Sequence, residues 1–186
     1  VHQPMATGDG RYVISYNGEI YNFQQLRVEL EALGCQFRSR TDTEVLLKAL
    51  AEWGIAAVSR LNGMFAFALW DRQERVLHLA RDRYGIKPLY YTLEGNRVLF
   101  ASESKALLAG GLRAEVDKEA LLEYFTFQNL FTDRTLLKRV RLLPAGTFVR
   151  IDLAKRRVPD PTRYWDFNFA EPERTGDERE YLEAVS

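Results

Sequence analysis

The segment MFAFALW, residues 64–70, is apolar at every position. In a strand, Phe65, Phe67 and Leu69 would lie on one face and Ala66 and Ala68 on the other, because successive side chains alternate. Both faces would then need cover, which is typical of a central strand between two packed layers. Helical patterns precede the segment and further strand patterns follow it. The sequence therefore predicts an α+β fold in which two stacked, mainly antiparallel sheets are flanked by helices.

The composition narrows the class of protein. The 186 residues contain 26 Lys plus Arg and 26 Asp plus Glu, so the net charge is zero and neither nucleic-acid nor membrane binding is expected. Cys35 is the single cysteine, and His2 and His78 are the two histidines. This excludes an internal disulfide, leaves little for a metal site and suits a reducing cytoplasm. No apolar run approaches the roughly 18 residues of a membrane-spanning helix.

Two helices are predicted before the central strand. Asn22 with Gln25, and Thr41 with Glu44, have the spacing of a helix N-cap and its reciprocal partner three residues later. Leucines at helical spacing follow each pair, and a glycine ends each pattern.

The segment YNGEIYNF, residues 16–23, follows the β-rich stretch 12–16. Its Asn-Gly pair could either turn the chain or present hydrogen-bond donors to a ligand. Asn-Gly after a strand is typical of a tight turn, so this strand is predicted to end at Asn17-Gly18. Taken alone, the pair is interpreted as a plain turn. Glycine is also the residue that best allows a ligand to approach the backbone.

Five blocks then carry a resemblance to a known family. They are YNGEIYN at Tyr16, SRTDTEV at Ser39, LNGMFAFALWD at Leu61, RDRYGIKPLYY at Arg81 and FASESKALL at Phe100. In this order they resemble the N-terminal glutaminase domain of glutamine-hydrolysing asparagine synthases, among the class II, N-terminal-nucleophile (Ntn) amidotransferases. The resemblance implies an Ntn-hydrolase-like αββα sandwich of four layers, here lacking its first strands. That domain would span 1–170, and 171–186 would begin a linker toward a synthetase domain.

The resemblance also implies a reaction and its residues. In this family an N-terminal cysteine thiolate attacks glutamine, releasing glutamate and ammonia, and a synthetase domain uses ATP and Mg²⁺ to amidate aspartate. By position, Asn17 and Gly18 match the oxyanion hole, through a side-chain amide and a backbone N–H. Glu19 and Asp42 match positions that hold the substrate glutamine, whose ammonium group needs acidic acceptors. No cofactor or metal is expected in this chain. Its expected partners are glutamine and the synthetase domain, with a homodimer as a further option.

The nucleophile itself is expected upstream of these blocks. The chain opens at Val1 rather than Met, so it is interpreted as a fragment. Because it lacks the upstream nucleophile, it is expected to be inactive alone. Cys35 follows Gly34, which ends a helical pattern, and it is assigned to the core. It is not assigned as the nucleophile, because an internal cysteine lacks the free α-amino group that the family uses as a base. Arg81, Asp82 and Lys87 are interpreted as a structural ion-pair cluster without a catalytic role.

Three alternatives stay open. The chain could be a non-catalytic scaffold domain, as in β-lactam synthetase-like proteins, or a ligand-binding regulatory module. Other class II amidotransferases, such as glucosamine-phosphate synthase and the purine-pathway enzyme, share the oxyanion motif. The blocks LNGMFAFALWD, KPLYY and LLPAG favour asparagine synthase among these.

Overall fold

A computed structural model describes residues 2–155 and 157–169, so the expectation for 171–186 concerns residues outside the described ranges. The strands are Met5–Ala6 (β1), Tyr12–Ile20 (β2), Gly63–Asp71 (β3), Val76–Arg81 (β4), Tyr90–Glu94 (β5), Arg97–Ala101 (β6), Arg141–Leu142 (β7), Thr147–Asp152 (β8) and Thr162–Arg163 (β9). The α-helices are Phe23–Ala32 (α1), Asp42–Trp53 (α2), Ser104–Ala109 (α3) and Lys118–Phe127 (α4). Shorter 3-10 helices span Gly54–Arg60 and Leu153–Lys155. Among the described residues, no helix combines the length and apolarity needed to cross a bilayer.

The strands form two antiparallel sheets. The larger sheet has the order β1-β2-β3-β4-β8-β9, and the smaller has the order β6-β5-β7. On β3, Phe65, Phe67 and Leu69 join the core beneath α1 and α2. Ala66 and Ala68 face the other way, into the core between the two sheets. The predicted cover on both faces of this strand is therefore confirmed.

A third core completes the layers. Leu107 of α3 is buried together with Leu112 and Val140, and Tyr90 and Leu99 of the smaller sheet pack against them. Helices thus lie outside each sheet, and the predicted four-layer αββα sandwich is confirmed.

The prediction that β2 ends at Asn17-Gly18 is wrong. Antiparallel pairing with β3 continues past this point, with Gly18 opposite Phe65 and Ile20 opposite Gly63. A Cβ on Gly18 would lie 2.2 Å from the Met64 oxygen, and one on Gly63 would lie 2.2 Å from the Glu19 oxygen. The two glycines therefore let the strands approach closely where side chains would push them apart.

Asn22 is the N-cap residue of α1, as predicted, but the predicted capping hydrogen bond is wrong. Its side chain makes no cap hydrogen bond to α1. Instead, Nδ2 donates to the Arg60 carbonyl oxygen and Oδ1 accepts from the Asn62 backbone N–H, both at 2.9 Å. The side chain thus joins the end of β2 to the start of β3, where it finds both a donor and an acceptor.

At α2 the capping prediction holds in part. Thr41 is the N-cap, and its Oγ1 accepts from the Glu44 backbone N–H. The Glu44 carboxylate does not return to Thr41 but accepts from Arg38 N–H and from the N–H and hydroxyl of Ser39. Burial opposes ionisation of Glu44, but these hydrogen bonds outweigh it and lower its pKa.

The ion-pair interpretation of the segment 81–87 is wrong. Within the described part of the chain, Arg81, Asp82 and Lys87 form no salt bridge with one another. Asp82 is fully buried and accepts hydrogen bonds from four backbone N–H groups, those of Phe65, Tyr84, Ile86 and Lys87. Arg81 donates to three backbone carbonyls, those of Gly85, Lys87 and Leu143. The tight loop after β4 supplies most of these main-chain partners, whereas Phe65 lies on β3 and Leu143 follows β7. Both charged side chains thus fix the backbone.

Candidate active site

The free edge of β2 carries the first part of the site. β1 pairs only with Val13 and Ile14 of this strand. Beyond β1, the Gln3 side chain accepts from Tyr16 N–H at 2.6 Å and donates to the Tyr16 carbonyl at 2.8 Å. Alternate residues of a strand direct their backbone groups to the same edge, so Gly18 N–H faces this edge as well.

Asp42 lies at the same edge. It is the first residue of α2, and its Oδ2 accepts from the Tyr16 hydroxyl at 2.7 Å and from Ile20 N–H at 3.1 Å. Its Oδ1 accepts from Thr43 N–H at 2.8 Å. The Thr43 hydroxyl also lies 3.5 Å from Oδ1, which is too far for a strong hydrogen bond. A carboxylate has about four acceptor sites, so these contacts orient Asp42, and a further donor could take the place of this weak contact. The structure therefore brings Gly18 and Asp42 to the same stretch of β2.

Tyr16 holds this carboxylate from the core side. Its side chain is only 7% exposed and belongs to the core beneath α1 and α2. Burial, together with the hydrogen bond to Asp42, raises the pKa of Tyr16. The phenol therefore stays protonated and donates to Asp42.

Asn17 faces the opposite side of the strand. Its Nδ2 donates to Ser102 Oγ at 3.1 Å, which links β2 to the segment that follows β6. A cavity of about 220 Å³ opens here, lined by Asn17, Ser102, Ala66, Leu89 and Phe100 among others. The structure does not place the Asn17 amide beside Asp42, because alternation along β2 sends Asn17 and Tyr16 to different faces.

Glu19 is exposed at the end of β2. In the described ranges its side chain forms neither a hydrogen bond nor an ion pair. Its match to a substrate-holding position stays a prediction.

Sequence reasoning missed Tyr16 and Ser102 as parts of this site. Both belong to quoted blocks, YNGEIYN and FASESKALL, but their contacts join residues far apart in the chain. The sequence signal for either residue was only that it carries a hydroxyl group and belongs to one of these blocks.

Cys35 lies away from these groups. It is half-buried and packs against the core beneath α1 and α2, and its N–H donates to the Leu30 carbonyl at 2.9 Å. In the part of the chain that the structure describes, no group of three or more His, Cys, Asp or Glu side chains could hold a metal ion.

A solved structure shares the fold of this chain. The solved structure of glutamine phosphoribosylpyrophosphate amidotransferase from B. subtilis, complexed with ADP and GMP, matches it with a TM-score of 0.59 at 22% identity. That match covers 88% of this chain and 32% of the solved chain. The chain therefore has the same fold as this amidotransferase.

A family model described as a glutamine amidotransferase domain matches residues 1–165, and the chain belongs to this family. It is 52% identical over 172 residues to asparagine synthetase [glutamine-hydrolyzing] 3 of Bacillus subtilis (strain 168), covering 88% of this chain and 27% of that protein. It is 41% identical over 185 residues to a putative asparagine synthetase [glutamine-hydrolyzing] of Mycobacterium bovis, covering 95% of this chain and 28% of that protein. The chain thus spans about a quarter of the length of these relatives.

Proposed function

We propose that this chain is the glutaminase domain of an asparagine synthase, which binds glutamine and positions its side-chain amide for hydrolysis to glutamate and ammonia. The observation that carries the proposal is the shared position of Gly18 N–H and the Asp42 carboxylate at the free edge of β2. These are a donor for an oxygen and an acceptor for an ammonium group, as a bound amino acid requires.

The two groups act at different times in the reaction. Asp42 would hold the ammonium group of glutamine in the ground state, and its oriented carboxylate loses little entropy in doing so. Gly18 N–H and the Asn17 amide would meet the oxygen that becomes negative when a thiolate adds to the amide carbon. That oxygen would lie at the edge of β2, within reach of the Gly18 N–H at the edge and of the Asn17 side chain on one face of the strand.

The thiol and the amidation step are assigned to the rest of the polypeptide. Cys35 is the single cysteine in the 186 residues, and it is half-buried against the core. We therefore expect these 186 residues to bind glutamine without hydrolysing it. ATP and Mg²⁺ would bind in the synthetase domain that the longer relatives suggest.

Titration calorimetry of this chain with L-glutamine tests the proposal. Asp42→Asn keeps the size of the side chain but removes its charge, and should weaken binding roughly 10- to 100-fold. Asn17→Ala should leave affinity nearly unchanged, because an oxyanion donor acts mainly in the transition state. Asp133→Asn, at a surface ion pair with Arg141, is the matched control and should not change affinity.

Each outcome has a clear meaning when far-UV circular dichroism shows that the variants are folded. Equal affinity for D-glutamine, or unchanged affinity in Asp42→Asn, would contradict the assignment of Asp42 to the ammonium group. Glutamine hydrolysis by these 186 residues, abolished by Asn17→Ala, would contradict the assignment of the thiol to the rest of the polypeptide.

A further inference from the structure

Asp42 is tied to β2 on both sides of Gly18. Its Oδ2 accepts from the Tyr16 hydroxyl at 2.7 Å and from the Ile20 N–H at 3.1 Å. Tyr16 lies two residues before Gly18 in the strand, and Ile20 lies two residues after it. The carboxylate and the Gly18 backbone are therefore held as one unit, although Asp42 belongs to α2.

The backbone positions next to Gly18 on this edge are already occupied. The Gln3 side chain binds both the N–H and the carbonyl of Tyr16. Asp42 accepts from the Ile20 N–H. Among the described residues, no acceptor meets the Gly18 N–H, which faces the same edge. This part of the edge thus presents a ligand with the Gly18 N–H as its open donor, next to one carboxylate.

Tyr16 fixes that carboxylate from the interior. Its side chain is buried in the core beneath α1 and α2, and Gln3 holds its backbone. An oxygen of a carboxylate has two acceptor positions, and on Oδ2 both are taken, by Tyr16 and by Ile20. A ligand can therefore reach Asp42 through Oδ1, and the Tyr16 hydroxyl determines which oxygen faces the ligand.

Strand geometry sets the spacing between the two ligand-binding groups. Two residues of an antiparallel strand span about 6.8 Å, which separates the Gly18 N–H from the point where Asp42 meets Ile20. An extended glutamine holds its ammonium nitrogen and its side-chain oxygen about 5–6 Å apart, and a hydrogen bond to Oδ1 covers the remaining distance. Asparagine is one methylene shorter, so its reach is smaller by about 1.3 Å. A fixed spacing therefore favours glutamine.

We infer that Tyr16 is a positioning residue that sets specificity for ligand length, because it holds Asp42 at a distance from the Gly18 N–H that glutamine spans and asparagine does not. The inference rests on the proposed function. There it has a chemical consequence, since the asparagine made by the complete protein carries the same side-chain amide as glutamine. Selection by length lets the site hydrolyse the donor amide and spare the new one.

Titration calorimetry of the 186-residue chain with L-glutamine and L-asparagine tests the inference. The parent should bind L-glutamine about 10- to 200-fold more tightly, as one methylene in a fixed site implies. Tyr16→Phe frees Asp42 to rotate and should weaken L-glutamine binding about 5- to 10-fold. L-Asparagine does not span the two groups, so its affinity should change less than about 2-fold. The ratio of the two dissociation constants should therefore fall in the variant.

Tyr164→Phe is the matched control. The Tyr164 hydroxyl donates to the Arg81 carbonyl at 2.8 Å, and its ring packs against the same core as Tyr16. Its removal takes away a comparable hydrogen bond at a distance from the ligand. Both dissociation constants should stay at their parent values, whereas a purely structural role of Tyr16 would make the two variants behave alike.

Amide hydrogen exchange followed by NMR gives a second measurement without a ligand. The Ile20 N–H is bonded to Asp42, so its exchange should accelerate about 10-fold in Tyr16→Phe relative to the Leu47 N–H within α2. In Tyr164→Phe this relative rate should match that of the parent.

Three results would overturn the inference. The first is a parent that binds L-asparagine as tightly as L-glutamine. The second is an unchanged ratio of dissociation constants in Tyr16→Phe, and the third is an unchanged relative exchange rate of the Ile20 N–H in that variant. A parent that binds neither amino acid would contradict the proposed function, and the exchange rate would still decide whether Tyr16 holds Asp42 in place.

Discussion

Replacing Asp82 by alanine should destabilise this fold by about 3–5 kcal/mol. The carboxylate is fully buried and accepts four backbone N–H groups at 3.0–3.1 Å. Alanine would leave all four donors without a partner, at about 1–3 kcal/mol for each that water cannot reach. Asp82→Asn should cost less, because its oxygen can still accept two of the four while its NH₂ group faces the other two.

Urea unfolding followed by far-UV circular dichroism measures this difference. At a typical slope of about 1–3 kcal/mol per molar urea, Asp82→Ala should lower the midpoint by about 2 M. The control is Asp133→Ala, which removes a surface ion pair with Arg141 and should change the midpoint little. A loss below about 1 kcal/mol in Asp82→Ala, or an Asn variant as stable as the parent, would refute the reasoning from unsatisfied donors.

The layers of the fold could be predicted because their signal is local. Alternation within 64–70 was enough to assign Phe65 to one core and Ala66 to another, and the structure places them so. The role of Asp82 could not be predicted in this way. The charges at 81, 82 and 87 suggested ion pairs. Instead, the loop that these residues enclose presents main-chain groups, which form hydrogen bonds with the side chains of Arg81 and Asp82.

The end of β2 failed as a prediction because its cause is distant in the chain. Turn chemistry is read from Asn17 and Gly18 alone, but the partner that extends the strand is Gly63, on β3. The capping hydrogen bond predicted for Asn22 failed for the same reason, since its side chain accepts from Asn62 N–H rather than from its own helix.

The site shows a related limit. The quoted blocks contain its residues, but they do not show that a core tyrosine orients Asp42 or that Ser102 holds Asn17 on the other face of the strand. Those contacts depend on how β2 packs against α2 and the smaller sheet.

Two further variants test the same physical reasoning. Gly18→Ala should cost about 2–4 kcal/mol in urea unfolding, because its Cβ would lie 2.2 Å from the Met64 oxygen. The control Gly95→Ala, at a positive φ in open space, should cost only about 1 kcal/mol, and equal losses would show that the contact with β3 is unimportant. At His78, burial and the nearby Arg150 lower the pKa from 6.5 to about 4. As pH falls from 6.5 to about 4, the unfolded chain therefore takes up this proton before the folded one, and stability declines. After allowance for partial exposure the decline should reach about 2 kcal/mol. Comparing His78→Leu with the parent isolates this contribution from the carboxylates that titrate in the same range. Parallel stability curves for the two proteins between pH 7 and pH 4 would contradict a neutral, half-buried His78 in the folded state.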